Sequence, residues 1–104
     1  MANSSLKSPD ECTNMAEVRE GVDATDRALM ELLETRFGYM RAAARIKPTR
    51  DTVRDEARKS QVIEAARADA QARGLPADKI AVIWDELVET SIAYELDEWD
   101  ATRK

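Results

Sequence analysis

Two cations, Arg36 and Lys47, occupy the apolar face of a long amphipathic segment. With Arg36 at zero and ~100° per residue, Lys47 falls at about 20° on the helical wheel. The apolar residues within about 40° of Arg36 are Val18, Leu29, Leu32, Met40 and Ala43. Arg19 lies on the flank of the same face, at about 100°. Because burying an unpaired charge costs several kcal/mol, each buried cation needs an anion beside it.

Three further polar residues, Arg58, Ser91 and Glu95, lie on or beside apolar faces later in the chain. One explanation for all these groups is salt bridges within or between chains, and another is a pocket inside a helical bundle that offers cations to a small dianion. The carboxylates that could form such salt bridges are Asp23, Asp26, Asp55 and Glu56. Spacing alone leaves both explanations open.

The spacing of the two arginines constrains any shared ligand. Arg19 precedes Arg36 by about 26 Å along a helix axis and lies about 100° around it. The two side chains cannot reach one small ligand from the same helix. If both bind it, Arg19 must come from a partner subunit.

The segment that carries these cations predicts one long helix, from Asn14 to Lys47. Asn14 and Glu17 form a capping-box pattern at its start, and Pro48 ends it. A helix of about 34 residues is ~50 Å long, whereas a compact domain of this size is about 26 Å across. A second chain laid along the uncovered face would solve the problem, so we expect an intertwined homodimer.

The remaining elements complete an all-α, three-helix chain that we expect to form a single domain over residues 1–104. Residues 1–7 read as a loose, disordered terminus, and Ser8 with Glu11 predicts a short helical start. A second helix is predicted from about Val53 to Arg73 and a third from about Pro76 to Trp99. The inward residues expected on these two helices are Val62, Ile63, Ala66, Ala70, Ile80, Ile83, Trp84, Leu87, Val88, Ile92 and Leu96.

Composition excludes several classes of function. The formal net charge of −5 provides no basic field for nucleic acid. One cysteine, Cys12, and no histidine exclude a Cys/His zinc site and a Ser-His-Asp or Cys-His arrangement. No apolar run reaches the ~18 residues of a membrane span, and no signal-peptide pattern is present. We therefore expect a cytoplasmic protein that needs no cofactor.

The segment SPDECTNMAEVREGVDATDRALMELLETRFGYMRAAARIK, residues 8–47, resembles the N-terminal half of the all-helical chorismate mutases. Within them it resembles the isochorismate pyruvate lyase subgroup, which makes salicylate for siderophores. The shared features are a Pro-acidic-acidic-Cys-Thr lead, Arg19, the pair Asp23 and Asp26, Arg36, Tyr39 and an Ala-Ala-x-x-x-Lys run. The resemblance extends over residues 8–99 and is densest in the first helix.

The resemblance implies roles for the three cations of the first helix. Arg19 matches the family arginine that reaches a substrate carboxylate from the other subunit. Arg36 matches the arginine that binds a carboxylate in its own site. Lys47 matches the lysine that hydrogen-bonds the ether oxygen of the bond that breaks.

Later positions match less completely. Arg58 resembles the substrate-binding arginine of the second helix, with Asp55 the acidic residue before it, and Ser91 matches the serine of the third helix in the mutases. Mutases commonly have Glu after that arginine to hold the ring hydroxyl, whereas this chain has Lys59. The family glutamine that donates to the ether oxygen aligns with Glu95. An ionised carboxylate only accepts hydrogen bonds, so Glu95 would have to be protonated for this role.

Three functions therefore remain open. Ser91 and Asp55 favour a chorismate mutase of the shikimate pathway to aromatic amino acids, whereas Lys59 and the N-terminal lead favour an isochorismate pyruvate lyase. A non-catalytic helical dimer is the third, since charges at helical spacing are usually solvated. Both reactions are pericyclic and need neither a nucleophile nor a metal. If Glu95 is the donor, activity should fall as rising pH ionises it.

Overall fold

The structure, a computed structural model, describes residues 6–104 and consists of three helices joined by short connections. The helices are α1 (Met15–Ile46), α2 (Glu56–Ala72) and α3 (Ala77–Thr102), with single 3₁₀ turns at Pro9–Glu11 and Arg50–Thr52. No strand occurs in the described range, so the all-α prediction is confirmed. None of these helices is both long and apolar enough to cross a membrane.

The chain divides into two compact units, Met1–Phe37 and Gly38–Lys104. The predicted loose terminus at residues 1–7 falls mostly on residues 1–5, which lie outside the described residues. Leu6 and Lys7 have no helical structure. The expectation of a single domain stays a prediction.

Side-chain caps fix the start of α1. Asn14 Oδ1 accepts a hydrogen bond from the Glu17 N–H at 2.9 Å, and Glu17 Oε1 accepts one from the Thr13 N–H at 2.9 Å. The Thr13 amide lowers the pKa of the Glu17 carboxyl. At the preceding 3₁₀ turn, the Ser8 N–H donates to Glu11 Oε1 at 3.0 Å. These bonds confirm both predicted helix starts, at Ser8 with Glu11 and at Asn14 with Glu17. In each, a side chain pairs with a backbone amide that has no partner within the helix.

The core of the unit Gly38–Lys104 forms where α2 and the loop before it pack on α3. Its buried members are Val53, Val88 and Ile92, which are 4%, 7% and 8% exposed. Burying a side chain of this kind contributes about 1.5–3 kcal/mol. Partly buried residues that pack against this core are Val62, Leu96 and Trp99.

In the unit Met1–Phe37, much of the apolar face of α1 is exposed. Leu29, Met30 and Leu32 are 52%, 66% and 67% exposed. The other large apolar residues exposed in this unit are Met15, Val18 and Val22. An apolar stripe of this length normally marks a surface that another element covers.

Two helix boundaries differ from the sequence prediction by more than one residue. α2 begins at Glu56 rather than near Val53, because the Asp55 side chain caps it and Val53 enters the core from the preceding loop. α3 continues to Thr102, three residues beyond the predicted end at Trp99. Ile83, predicted to point inward, is 56% exposed.

Candidate active site

Lys47 directly follows the last residue of α1, and its ammonium points into the unit Gly38–Lys104. Its Nζ lies 2.7 Å from Glu95 Oε2 and donates to the Val53 carbonyl at 3.2 Å. The side chain is 29% exposed. An ammonium has three N–H donors, and among the described residues the hydrogen bond to Val53 uses one of them while Glu95 is held as an ion pair. Lys47 therefore keeps donor capacity for an incoming acceptor.

Glu95 is the acidic half of this pair and is almost completely buried, with 4% of the residue exposed. Its Oε2 receives no well-directed hydrogen bond from the described residues. The 2.7 Å contact with Lys47 is therefore a close ion pair whose angle is poor for a hydrogen bond. A buried carboxylate with an unmet acceptor is costly, so this position is suited to binding a hydrogen-bond donor.

Ser91 lies one turn before Glu95 on α3 and is 3% exposed. Its Oγ donates to the Leu87 carbonyl at 2.7 Å, as serine hydroxyls inside helices commonly do. Residues four apart share a helix face, so Ser91 and Glu95 are both inward residues of α3.

Asp55 and Arg58 form the start of α2. Asp55 Oδ1 accepts a hydrogen bond from the Arg58 N–H at 3.0 Å, which caps the helix. A cap of this type contributes about 1 kcal/mol. The Arg58 guanidinium is exposed and contacts Gln61 Oε1 at 3.4 Å. Asp55 thus has a structural task here, and its role toward a substrate stays a prediction.

Lys59 occupies the position where mutases commonly have Glu, and the structure shows where its charge goes. Its Nζ lies 2.6 Å from Glu89 and 3.1 Å from Asp85, both on α3. Arg54 also pairs with Glu89, at 2.7 Å. Arg54 and then Lys59 lower the pKa of the Glu89 carboxyl to about 2. The positive charge of Lys59 is thereby neutralised by the carboxylates of Glu89 and Asp85, and its side chain is only 19% exposed.

Arg36 and Arg19 belong to the other unit, Met1–Phe37. Both side chains project from α1, where Arg36 is half-buried and Arg19 is exposed. They are separated by about 26 Å of helix, so they do not form one site within this unit. The requirement for a second chain, derived from spacing, still applies to any ligand that contacts both.

Of the predicted site residues, the structure brings Lys47 and Glu95 into contact and places Asp55 and Arg58 together. Glu56, expected as a salt-bridge partner for the site cations, pairs instead with Arg54 at 2.8 Å. Sequence reasoning missed Arg103, whose guanidinium donates to the carbonyl of Lys47 at 2.7 Å. The available signal was Pro48, which removes the amide that would otherwise pair with the end of the helix.

These features define an all-helical protein in which a partly buried lysine at the end of the long first helix pairs with a buried glutamate of the third helix. The family model described as chorismate mutase type II matches residues 18–96. The chain therefore belongs to the chorismate mutase type II family. It is also 26% identical over 98 residues to the isochorismate pyruvate lyase of Pseudomonas aeruginosa, a match that covers 94% of this chain and 97% of that protein.

Proposed function

We propose that this protein is a chorismate mutase that converts chorismate to prephenate. The observation that carries the proposal is Lys47, an ammonium that pairs with a buried carboxylate and keeps donor capacity beyond its hydrogen bond to Val53, in a chain of this family. The reaction is a 3,3-sigmatropic shift in which the C–O ether bond breaks as a C–C bond forms. It requires a folded substrate and a donor at the ether oxygen.

Arginines supply the folding step in this proposal. Arg36, and Arg19 of the partner subunit, bind the two substrate carboxylates and hold the enolpyruvyl arm over the ring. Restricting the reactants to this geometry lowers the entropic part of the barrier. Arg58, exposed at the start of α2, and Ser91 are the further substrate-binding residues, with Asp55 fixing the position of Arg58 through the cap.

Lys47 acts on the transition state. Negative charge grows on the ether oxygen as the C–O bond lengthens, so an ammonium placed there binds the transition state more tightly than the substrate. Burial strengthens this interaction because little water competes for the charge. Lys47 and, in its protonated form, Glu95 are the two residues that we place against the reacting oxygen.

The Glu95→Gln substitution should change the pH profile of the reaction. Glu95 can donate to the ether oxygen only when protonated, whereas a glutamine amide donates at every pH. Wild-type kcat should fall as the pH rises, because an ionised carboxylate cannot donate. The E95Q variant should retain its activity over the same range, as measured by initial rates from pH 5 to 9.

A wild-type profile that is flat over this pH range would remove Glu95 from the chemistry. Glu98, which lies in the same helix without a predicted role, provides the matched control. E98Q should follow the wild-type pH profile, since it removes a carboxylate of α3 at another position.

The alternative reaction is isochorismate pyruvate lyase. It is favoured by the similarity to the Pseudomonas aeruginosa lyase and by the neutralised Lys59, which replaces the glutamate typical of mutases. In this reaction a ring hydrogen moves to the methylene carbon of the enolpyruvyl group as the C–O bond breaks. The products are salicylate and pyruvate, and Lys47 again stabilises the departing oxygen.

Product analysis distinguishes the two reactions. Purified protein is incubated with each substrate separately, and prephenate, salicylate and pyruvate are quantified. Our proposal predicts a higher kcat/KM for chorismate, with prephenate as product. A higher kcat/KM for isochorismate, with equal amounts of salicylate and pyruvate, would establish the alternative. Conversion of neither substrate would contradict both and leave a helical protein of another function.

The proposed enzyme is a cytoplasmic homodimer. Exposed apolar residues of α1, such as Leu29, Met30 and Leu32, offer the surface that a second copy would cover. A partner's α1 laid along this surface is also the arrangement that would deliver Arg19 to a site on the other chain.

A further inference from the structure

The end of α1 has backbone carbonyls that the local chain cannot satisfy. In a continuing α-helix, the Ala44 carbonyl would accept a hydrogen bond from the amide of residue 48. Residue 48 is proline, which has no N–H. The Lys47 N–H still bonds to the Ala43 carbonyl at 2.9 Å, so the helical geometry reaches Lys47 although its next donor is missing.

The C-terminal end of α3 supplies the missing donors. Arg103 donates from Nη1 to the Ala44 carbonyl at 2.8 Å and from Nη2 to the Lys47 carbonyl at 2.7 Å. The Trp99 indole N–H donates to the Lys47 carbonyl at 3.0 Å. The guanidinium also lies over the Trp99 ring, 4.3 Å from its centroid, which is a cation–π contact.

These donors continue a row that includes Glu95. Glu95, Trp99 and Arg103 follow one another at intervals of four residues, so they lie along one side of α3 and its C-terminal end. Glu95 contacts the Lys47 ammonium, whereas Trp99 and Arg103 donate to the backbone carbonyl of Lys47. One row of residues therefore contacts both the side-chain ammonium and the backbone carbonyl of this lysine.

We propose that Arg103 and Trp99 are positioning residues that set Lys47 for its action on the substrate. The inference rests on the proposed function of Lys47. A lysine that follows a helix end broken by proline has few local restraints, and the planar guanidinium bridges two carbonyls where a single donor could not. A shift of about 1 Å in a reacting group can cost about 100-fold in rate, so this restraint has a catalytic consequence.

Kinetics of Arg103→Met test the proposal. The substitution removes both hydrogen bonds while retaining an unbranched apolar side chain. We expect kcat to fall by about tenfold and KM to change by less than about twofold, because Lys47 acts mainly in the transition state. If R103M does not fold, Trp99→Phe removes the indole donor together with part of the ring, keeps both Arg103 hydrogen bonds in place, and should lower kcat in the same way to a smaller extent.

A double-mutant cycle separates positioning from general structural support. In a Lys47→Ala background, R103M should cause no further loss of kcat per folded protein, because the group it positions is gone. Arg50→Met is the matched control, since Arg50 ties the nearby loop to α3 through Asp100 at 2.8 Å without contacting Lys47. R50M should keep the wild-type kcat.

Hydrogen exchange at the Lys47 amide provides a readout that does not depend on activity. We expect faster exchange in R103M and unchanged exchange in R50M. Unchanged exchange in R103M, or an equal loss of kcat in the wild-type and K47A backgrounds, would overturn the positioning role. If wild-type protein converts neither chorismate nor isochorismate, the proposed function fails. In that case the hydrogen-exchange comparison of R103M with wild type still tests whether Arg103 restrains Lys47.

Discussion

Replacing Lys47 with alanine is expected to lower kcat by about 10²–10³-fold, the usual cost of removing one donor to a developing oxyanion. The ammonium has a donor not engaged by Val53 or Glu95, and its partial burial keeps water from taking over its role. KM should change much less, because the charge on the ether oxygen exists mainly in the transition state. Steady-state kinetics on the preferred substrate measure both parameters.

Two further variants control this result. K47A leaves Glu95 buried without a cation, which is destabilising in itself. The double variant K47A/E95Q removes both charges. We expect it to fold and to be as inactive as K47A. Arg67→Ala removes another partly buried, ion-paired cation, one to which no role in the site is assigned, and should retain kcat. A K47A enzyme within about threefold of wild type would exclude Lys47 from the chemistry.

Mixed oligomers of Arg19→Ala and Lys47→Ala chains are expected to regain activity that neither variant has alone. If Arg19 serves the partner's site, a mixed dimer contains one complete site and one that lacks both residues. Equal co-expression makes about half of the dimers mixed, so activity should reach about a quarter of wild type. Rates are measured on affinity-purified mixtures of differently tagged chains.

Complementation has a matched negative control in the pair Arg36→Ala and Lys47→Ala. Both residues are proposed to serve the site of their own chain, so each site of a mixed dimer lacks one of them and no activity returns. Absence of recovery in the R19A and K47A mixture would show that Arg19 does not act across subunits. The long-helix account of the dimer site would then be wrong.

Local sequence signals were sufficient to predict α1. Its start depends on Asn14 and Glu17, its end on Pro48, and its apolar period runs through every turn between them. Helical spacing also placed Lys47 on an inward face, which its contact with Glu95 confirms.

Elements whose limits depend on distant contacts were predicted less well. The start of α2 was misplaced because Val53 has an apolar pattern suited to a helix, yet it packs against Val88 and Ile92 from a loop. The end of α3 was missed because the residue that follows it, Arg103, is held by the carbonyls of Ala44 and Lys47 at the end of α1. Such pairings join residues more than fifty positions apart and leave no periodic trace in the sequence.

For the candidate site, the sequence suggested residues but not the bonds among them. The resemblance to a family supplied Lys47, Glu95 and Arg58, but the spacing pattern could not reveal that Lys59 would be neutralised by Glu89 and Asp85. That network depends on the facing surfaces of α2 and α3. Which charged residues pair across two helices depends on how the helices pack, and the spacing of residues along one sequence does not show this.

Inhibition by a stable mimic of the transition state tests the central claim most directly. The mimic is a bicyclic dicarboxylate whose ether oxygen lies where the breaking bond would be. We expect competitive inhibition of the wild type with a Ki at least about 100-fold below KM, because the site is complementary to the transition state. Lys47→Ala should abolish most of this preference. Equal affinity for mimic and substrate, or an unchanged preference in the Lys47→Ala variant, would contradict the account.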